Sequence, residues 1–163
     1  MMGAGKSTVG GLLASRLGWP YSDSDAEVEV STGATVPEIF EVSGEAAFRA
    51  EETRVLEAAT TSDGPVVVSV AGGAVLSPDN RHRIKSAGFV VWLRADVKTL
   101  AARVGQGAGR PLLNPDPFTA LSRLYEERRP LYQQLADLIV DVDGLSPGDI
   151  VDRILAAWDS TRA

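Results

Sequence analysis

The chain opens Met1-Met2-Gly3-Ala4-Gly5-Lys6-Ser7-Thr8 and runs directly into Val9, Leu12, Leu13 and Leu17 at helical spacing, stopped by Gly18 and Pro20. Glycines next to a lysine and a hydroxyl residue, at the mouth of an apolar-faced helix, match the last part of the phosphate-loop pattern G-x-x-x-x-G-K-[ST]. Only the pattern's first glycine is absent. In such a loop the backbone N–H groups turn inward around a β- or γ-phosphate, and the helix directs its positive dipole end at the same anion. Lys6 adds a point charge, and the Ser7 hydroxyl is a suitable oxygen ligand for Mg²⁺. The competing explanation is a glycine-rich turn ahead of an ordinary amphipathic helix.

Helix-like and strand-like segments alternate along the rest of the chain, without internal repeats. Tyr21-Ser22 leads to Asp23 and Asp25, and Thr35-Val36-Pro37-Glu38 has the form of a capping box. A longer helix is predicted from about Gly44 to Thr60. Val66–Val70 and Phe89–Leu93 read as buried β-branched or aromatic strands, and Leu138–Val142 as a third. Helices are predicted after Ser77-Pro78-Asp79, over Val97–Val104, up to about Ala136, and after Ser146-Pro147-Gly148-Asp149. This order predicts an α/β fold, a three-layer parallel sheet with helices on both faces, in one domain of 163 residues. The stretch from Gly105 to Pro117 is rich in glycine and proline, lacks periodicity, carries Arg110, and reads as a mobile loop.

Charge and composition narrow the function. Sixteen Lys and Arg against 22 Asp and Glu give a net charge of −6, which argues against a nucleic-acid partner while leaving room for a local basic pocket. Cysteine is absent, so disulfides and thiolate chemistry are excluded. No apolar run approaches the roughly 20 residues of a membrane span, and a cytoplasmic location is expected. The single histidine, His82, sits in a Lys/Arg-containing helix and reads as a surface residue.

Several further residues are candidates for chemistry. Asp23 and Asp25 follow a strand, at the sheet edge where open α/β folds bind ligands. Either Asp23 serves a metal through water and Asp25 a substrate hydroxyl, or the pair simply caps a helix. Arg49 and Glu52 lie three apart on one helical face, the spacing of an ion pair. Adjacent Gly72 and Gly73 permit close backbone approach at the end of a strand. Arg128-Arg129-Pro130-Leu131-Tyr132 places a proline where it should interrupt a helix.

Taken in order, Gly-Lys-Ser, Asp23-x-Asp25, Phe48-Arg49-x-x-Glu52, Gly72-Gly73-Ala74-Val75, Arg110-Pro111-Leu112-Leu113 and Arg128-Arg129-Pro130-Leu131-Tyr132 resemble the shikimate kinases along nearly the whole chain. The resemblance implies a fold like that of the phosphate-loop nucleoside-monophosphate kinases, and transfer of the ATP γ-phosphoryl to the 3-hydroxyl of shikimate. It implies a Mg²⁺-dependent monomer whose partners are ATP and shikimate. Gly3, Ala4, Gly5, Lys6, Ser7 and Thr8 would hold ATP, with Arg103 and Pro147 flanking adenine and Arg110 closing over the phosphates from the lid. Ser7 and Asp23 would serve the metal. Asp25, Arg49, Gly72, Gly73 and Arg128 would bind shikimate, with Glu52 orienting Arg49, and Lys6, Asp25 and Arg110 would carry the chemistry. The substrate-binding segment would span about 25–60 and the lid about 105–117.

Two departures carry expectations of their own. Where the family often has a third glycine the chain has Ala71, whose β-carbon would crowd the site if its backbone needed positive φ. The family pattern also places a short buried strand before the loop. That first strand is missing from this chain, and the expectation is that coding sequence upstream of Met1 supplies it. The rivals are a gluconate or nucleoside-monophosphate kinase, and a kinase-like nucleotide- or shikimate-binding protein without turnover.

Overall fold

The computed structural model describes residues 1–61, 63–105, 111–113 and 116–162. Eight α-helices and four strands alternate among them. The elements that build the cleft are α1 (Lys6–Leu17), β1 (Tyr21–Asp23), α2 (Ser24–Thr32), α3 (Val36–Val42), α4 (Gly44–Thr60) and β2 (Val67–Ser69). After them come α5 (Pro78–Ala87), β3 (Val91–Arg94), α6 (Val97–Val104), α7 (Pro117–Leu135), β4 (Leu138–Asp141) and α8 (Pro147–Ser160).

Local sequence explains most of the boundaries. Gly5 takes the left-handed conformation at φ 89° as it caps α1, and Gly18 closes the same helix at φ 66°. Thr35 and Glu38 form the expected capping box of α3, and Ser146 with Asp149 forms one on α8, each with proline in the first turn. The long helix expected to reach about Ala136 does so, with α7 running through Pro130 to Leu135. The proline lacks an N–H, and only the Glu126 carbonyl loses its usual i+4 donor.

All strand pairings are parallel, as predicted. They form two pairs, β1 with β2 (Tyr21 opposite Val67) and β3 with β4 (Val91 opposite Leu138), with no ladder between the pairs among the described residues. The β3–β4 pair and helices α1, α4, α5, α6, α7 and α8 share one core that includes Val9, Leu56, Trp92, Leu100, Leu121, Val142 and Val151. A second, smaller cluster of Val28, Ile39, Phe48 and Val55 belongs to α2, α3 and α4 alone. That satellite core fixes the helical segment carrying Asp25 and Arg49 as a unit beside the main body. No described helix is long and apolar enough to cross a membrane.

Candidate active site

The carboxyl ends of β1 and β2, the N-terminus of α1 and the inner faces of α4 and α7 enclose an open cleft of about 550 Å³. Gly3 and Gly5 both adopt positive φ, 76° and 89°, so the chain wraps around the N-terminus of α1 in a form open chiefly to glycine. Lys6, Ser7 and Thr8 line the cleft, whereas Ala4 is buried beneath the loop. The Lys6 ammonium donates to the Met1 carbonyl at 3.1 Å.

Asp23 caps α2, as one of the two sequence readings expects, and also reaches the phosphate loop. Its Oδ1 accepts from the Asp25 N–H at 3.1 Å and caps α2, while Oδ2 accepts from Ser7 Oγ at 2.8 Å and from the Tyr21 hydroxyl at 3.2 Å. The strand end therefore delivers a carboxylate to the phosphate loop and starts the next helix with the same side chain. Asp25 lies in the first turn of α2, reached by solvent at the cleft mouth but walled by protein. Partial desolvation pushes its carboxyl above the ordinary aspartate value; Lys6 and Arg49 oppose this and Asp23 and Glu29 reinforce it.

Arg49 is pinned from two sides. Its Nη1 donates to both oxygens of Glu52 at 3.0 Å, and its Nε and Nη2 donate to Glu45 Oε1 at 3.3 and 3.0 Å. The guanidinium carbon also lies 5.3 Å from the Phe48 ring centroid. Glu52 is only 1 % exposed, and burial pushes its carboxyl above the ordinary value while Arg49 pulls it back. The expected Arg49–Glu52 pair is thus an interior fixture rather than surface decoration. Glu45 was not legible as a partner, although its i, i+4 position before Arg49 is the favoured spacing for such a pair.

Arg128 enters from α7, 3 % exposed, with Nε lacking a hydrogen-bond partner. No carboxylate lies within ion-pair distance of it among the described residues. A buried guanidinium donor in a cleft wall is a receptor for an anion. Tyr132, one turn on, has its phenol pushed up to about 12 by burial, and its hydroxyl donates to the Gly72 carbonyl at 2.7 Å. That bond holds the loop after β2, a role the sequence did not indicate for Tyr132.

The two glycines differ in purpose. At Gly73 the backbone has ordinary φ −88° and ψ −15°, but a β-carbon would fall 2.1 Å from Arg49 Nη1. Glycine there makes space for the arginine. Ala71, feared as a source of crowding, has no positive φ, and its N–H donates to buried Ser24 Oγ at 2.8 Å. Arg103 reaches the cleft and donates to the Gly3 carbonyl at 3.3 Å. Pro147 opens α8 and is not among the cleft-lining residues. Arg110 lies outside the described residues, as does most of the expected lid. His82 projects from α5, away from the cleft residues, as expected.

Fold and site together define a phosphate-loop α/β kinase, with the phosphate loop, Arg49 and Arg128 lining one cleft. Known proteins narrow this further. The chain belongs to the shikimate kinase family, whose model matches residues 2–159. It is 50 % identical over 159 residues to the shikimate kinase of Ruegeria pomeroyi, an alignment spanning 96 % of this chain and 80 % of that protein. Its fold matches the Acinetobacter baumannii shikimate kinase in complex with shikimate at a TM-score of 0.95 and 39 % identity, covering 98 % of this chain and 89 % of the other. The Aquifex aeolicus enzyme matches at a TM-score of 0.86 and 34 % identity, over 99 % and 94 % of the two chains.

Proposed function

We propose that the protein transfers the γ-phosphoryl group of ATP to the 3-hydroxyl of shikimate, giving shikimate 3-phosphate and ADP, as a cytoplasmic monomer. The observation that carries this reading is the convergence of Arg49, Arg128 and Asp25 on the cleft that the phosphate loop opens into. A small carboxylate bearing ring hydroxyls needs cationic forks at one end and an oxygen acceptor at the other. Glu52 fixes Arg49, and Gly72 and Gly73 form the floor. The α2–α4 unit, about residues 25–60, is the substrate-binding segment of a single domain.

On the nucleotide side, the N–H groups of Gly3 to Thr8 and the Lys6 ammonium hold the phosphates. Ser7 Oγ and the Asp23 carboxylate, already 2.8 Å apart, are hard oxygen donors. They suit Mg²⁺, which takes few protein ligands and fills its shell with water and phosphate oxygens. When bound, Mg²⁺ neutralises phosphate charge. Asp25 accepts the hydrogen bond of the 3-hydroxyl, aligns its oxygen and takes its proton as the phosphoryl group moves. Arg110 from the 105–117 lid and Lys6 stabilise the charge on the transferring group, and Arg103 and Pro147 flank adenine.

An ADP-release assay with shikimate, gluconate and a nucleoside monophosphate as alternative acceptors tests the reading. Turnover with shikimate alone is expected. Turnover with either other acceptor and not with shikimate, or with none of the three, overturns it.

A further inference from the structure

The hydrogen bonds of Arg49 leave no complete docking edge for a second carboxylate. A guanidinium offers five N–H groups, and a bidentate carboxylate needs two of them in parallel. Nη1 is committed to Glu52, with both carboxylate oxygens 3.0 Å away, so the Nη1/Nη2 end is half occupied. The Nε/Nη2 side is fully occupied by Glu45 Oε1. Two-point capture of an incoming carboxylate therefore requires one of the two glutamates to leave.

They are unequal in their ability to do so. The Glu52 side chain is 1 % exposed and would become an unpaired buried charge if it let go. The Glu45 side chain is 50 % exposed, grips with a single oxygen, and lines a neighbouring hollow of about 400 Å³ into which it can swing. One oxygen accepting two divergent N–H groups is also poorer geometry than two parallel bonds to two oxygens.

We infer that Glu45 is a displaceable internal carboxylate that holds the docking edge of Arg49 in the empty site and yields it to the carboxylate of the acceptor substrate. This inference rests on the proposed assignment of Arg49 to substrate binding. Glu45 would then set affinity and selectivity without touching the reacting atoms. It orients the guanidinium while the site is empty, and it raises the threshold for any small anion that binds through its carboxylate alone.

The test is calorimetric titration of shikimate, and of cyclohex-1-ene-1-carboxylate as its hydroxyl-free analogue, into the wild type and the Glu45→Gln and Glu45→Ala variants. Removing an internal competitor tightens binding. Both variants are expected to bind shikimate about two- to five-fold more tightly, the scale of a partly exposed i, i+4 pair, and the analogue should tighten by the same factor. A residue that served only to position Arg49 could give no tightening, so weaker or unchanged binding in well-folded variants overturns the inference. Thermal melts check folding, and Glu45 stands in the first turn of α4, where its loss should shift the melting midpoint only slightly. If the wild type fails to bind shikimate, the substrate assignment falls, and this inference with it. If the wild type binds and the variants bind no better, only the inference falls.

Discussion

Gly73→Ala puts the geometry of the arginine site to its sharpest test. The new β-carbon would lie 2.1 Å from Arg49 Nη1, 2.4 Å from Cζ and 2.5 Å from Nη2, against an ordinary contact distance of 3.4 Å. The guanidinium must retreat by the difference between 3.4 and 2.1 Å, about 1.3 Å, comparable to the slack separating a good hydrogen bond from none. Its bonds to Glu52 start at 3.0 Å, and a shift that lengthens them by that much would break them. A misplaced fork loses roughly 1.5–3 kcal/mol of charge-assisted hydrogen bonding to a substrate carboxylate. The shikimate KM should therefore rise roughly 10- to 100-fold, while the ATP KM stays within about two-fold. Backbone strain does not contribute, since φ −88° and ψ −15° suit alanine. A double-mutant cycle isolates the cause. In an Arg49→Ala background, Gly73→Ala should change the shikimate KM by less than about two-fold, because the atoms it strikes are gone. If the glycine effect persists undiminished there, the β-carbon is blocking substrate or backbone rather than displacing Arg49, and the reasoning is refuted.

Asp25→Asn should lower kcat by roughly 10²- to 10⁴-fold with ATP affinity retained. Asp25 accepts a proton only when ionised, and desolvation raises its pKa. The wild-type kcat/KM should thus fall, as pH drops, at values above the ordinary aspartate range, and the asparagine variant should lack that acidic limb. Arg128→Met should raise the shikimate KM roughly 10- to 100-fold while the thermal midpoint holds or increases, because a buried cation with no carboxylate in ion-pair contact among the described residues is replaced by an apolar chain of similar reach. A normal KM, or a large loss of stability, would count against Arg128 as an anion receptor. Ser7→Ala should increase the Mg²⁺ concentration required for half-maximal turnover and leave shikimate binding intact, as read by metal titration and calorimetry.

Most of the fold was legible because its signals are local. Helical periodicity, the capping box at Thr35 and the β-branched run before Gly72 act over a few residues, and the structure reproduces them with small shifts at the ends, such as β2 beginning at Val67 rather than Val66. The helix to about Ala136 was legible despite Pro130, whose local cost is met by the packing of Leu124, Tyr132 and Leu135 on either side of it. At the site, residue types and order pointed to Lys6, Ser7, Asp23, Asp25, Arg49 and Arg128, all of which line one cleft. The roles of Glu45, Tyr132 and Gly73 were hidden for a different reason. Each acts through a contact to another side chain or carbonyl, and only the spacing of Glu45 from Arg49 left a trace in one dimension.

The charge balance takes a different meaning once the cleft is seen. Among its described lining residues are four cations, Lys6, Arg49, Arg103 and Arg128, and four carboxylates, Asp23, Asp25, Glu29 and Glu52. The cleft is therefore formally neutral within a chain of net charge −6, a relative high in potential but not a cationic sink. Bulk attraction cannot then be what retains a polyphosphate and a carboxylate together. Selectivity has to come from the placement of individual side chains, as in the fixing of Arg49 by Glu52 and Glu45. In the proposed reaction a neutral site would leave phosphate charge for Mg²⁺ to offset, because the loop and Lys6 alone cannot balance a triphosphate. Substrate affinity should accordingly depend weakly on ionic strength at the buried arginines and strongly on single-residue geometry, as Gly73 illustrates.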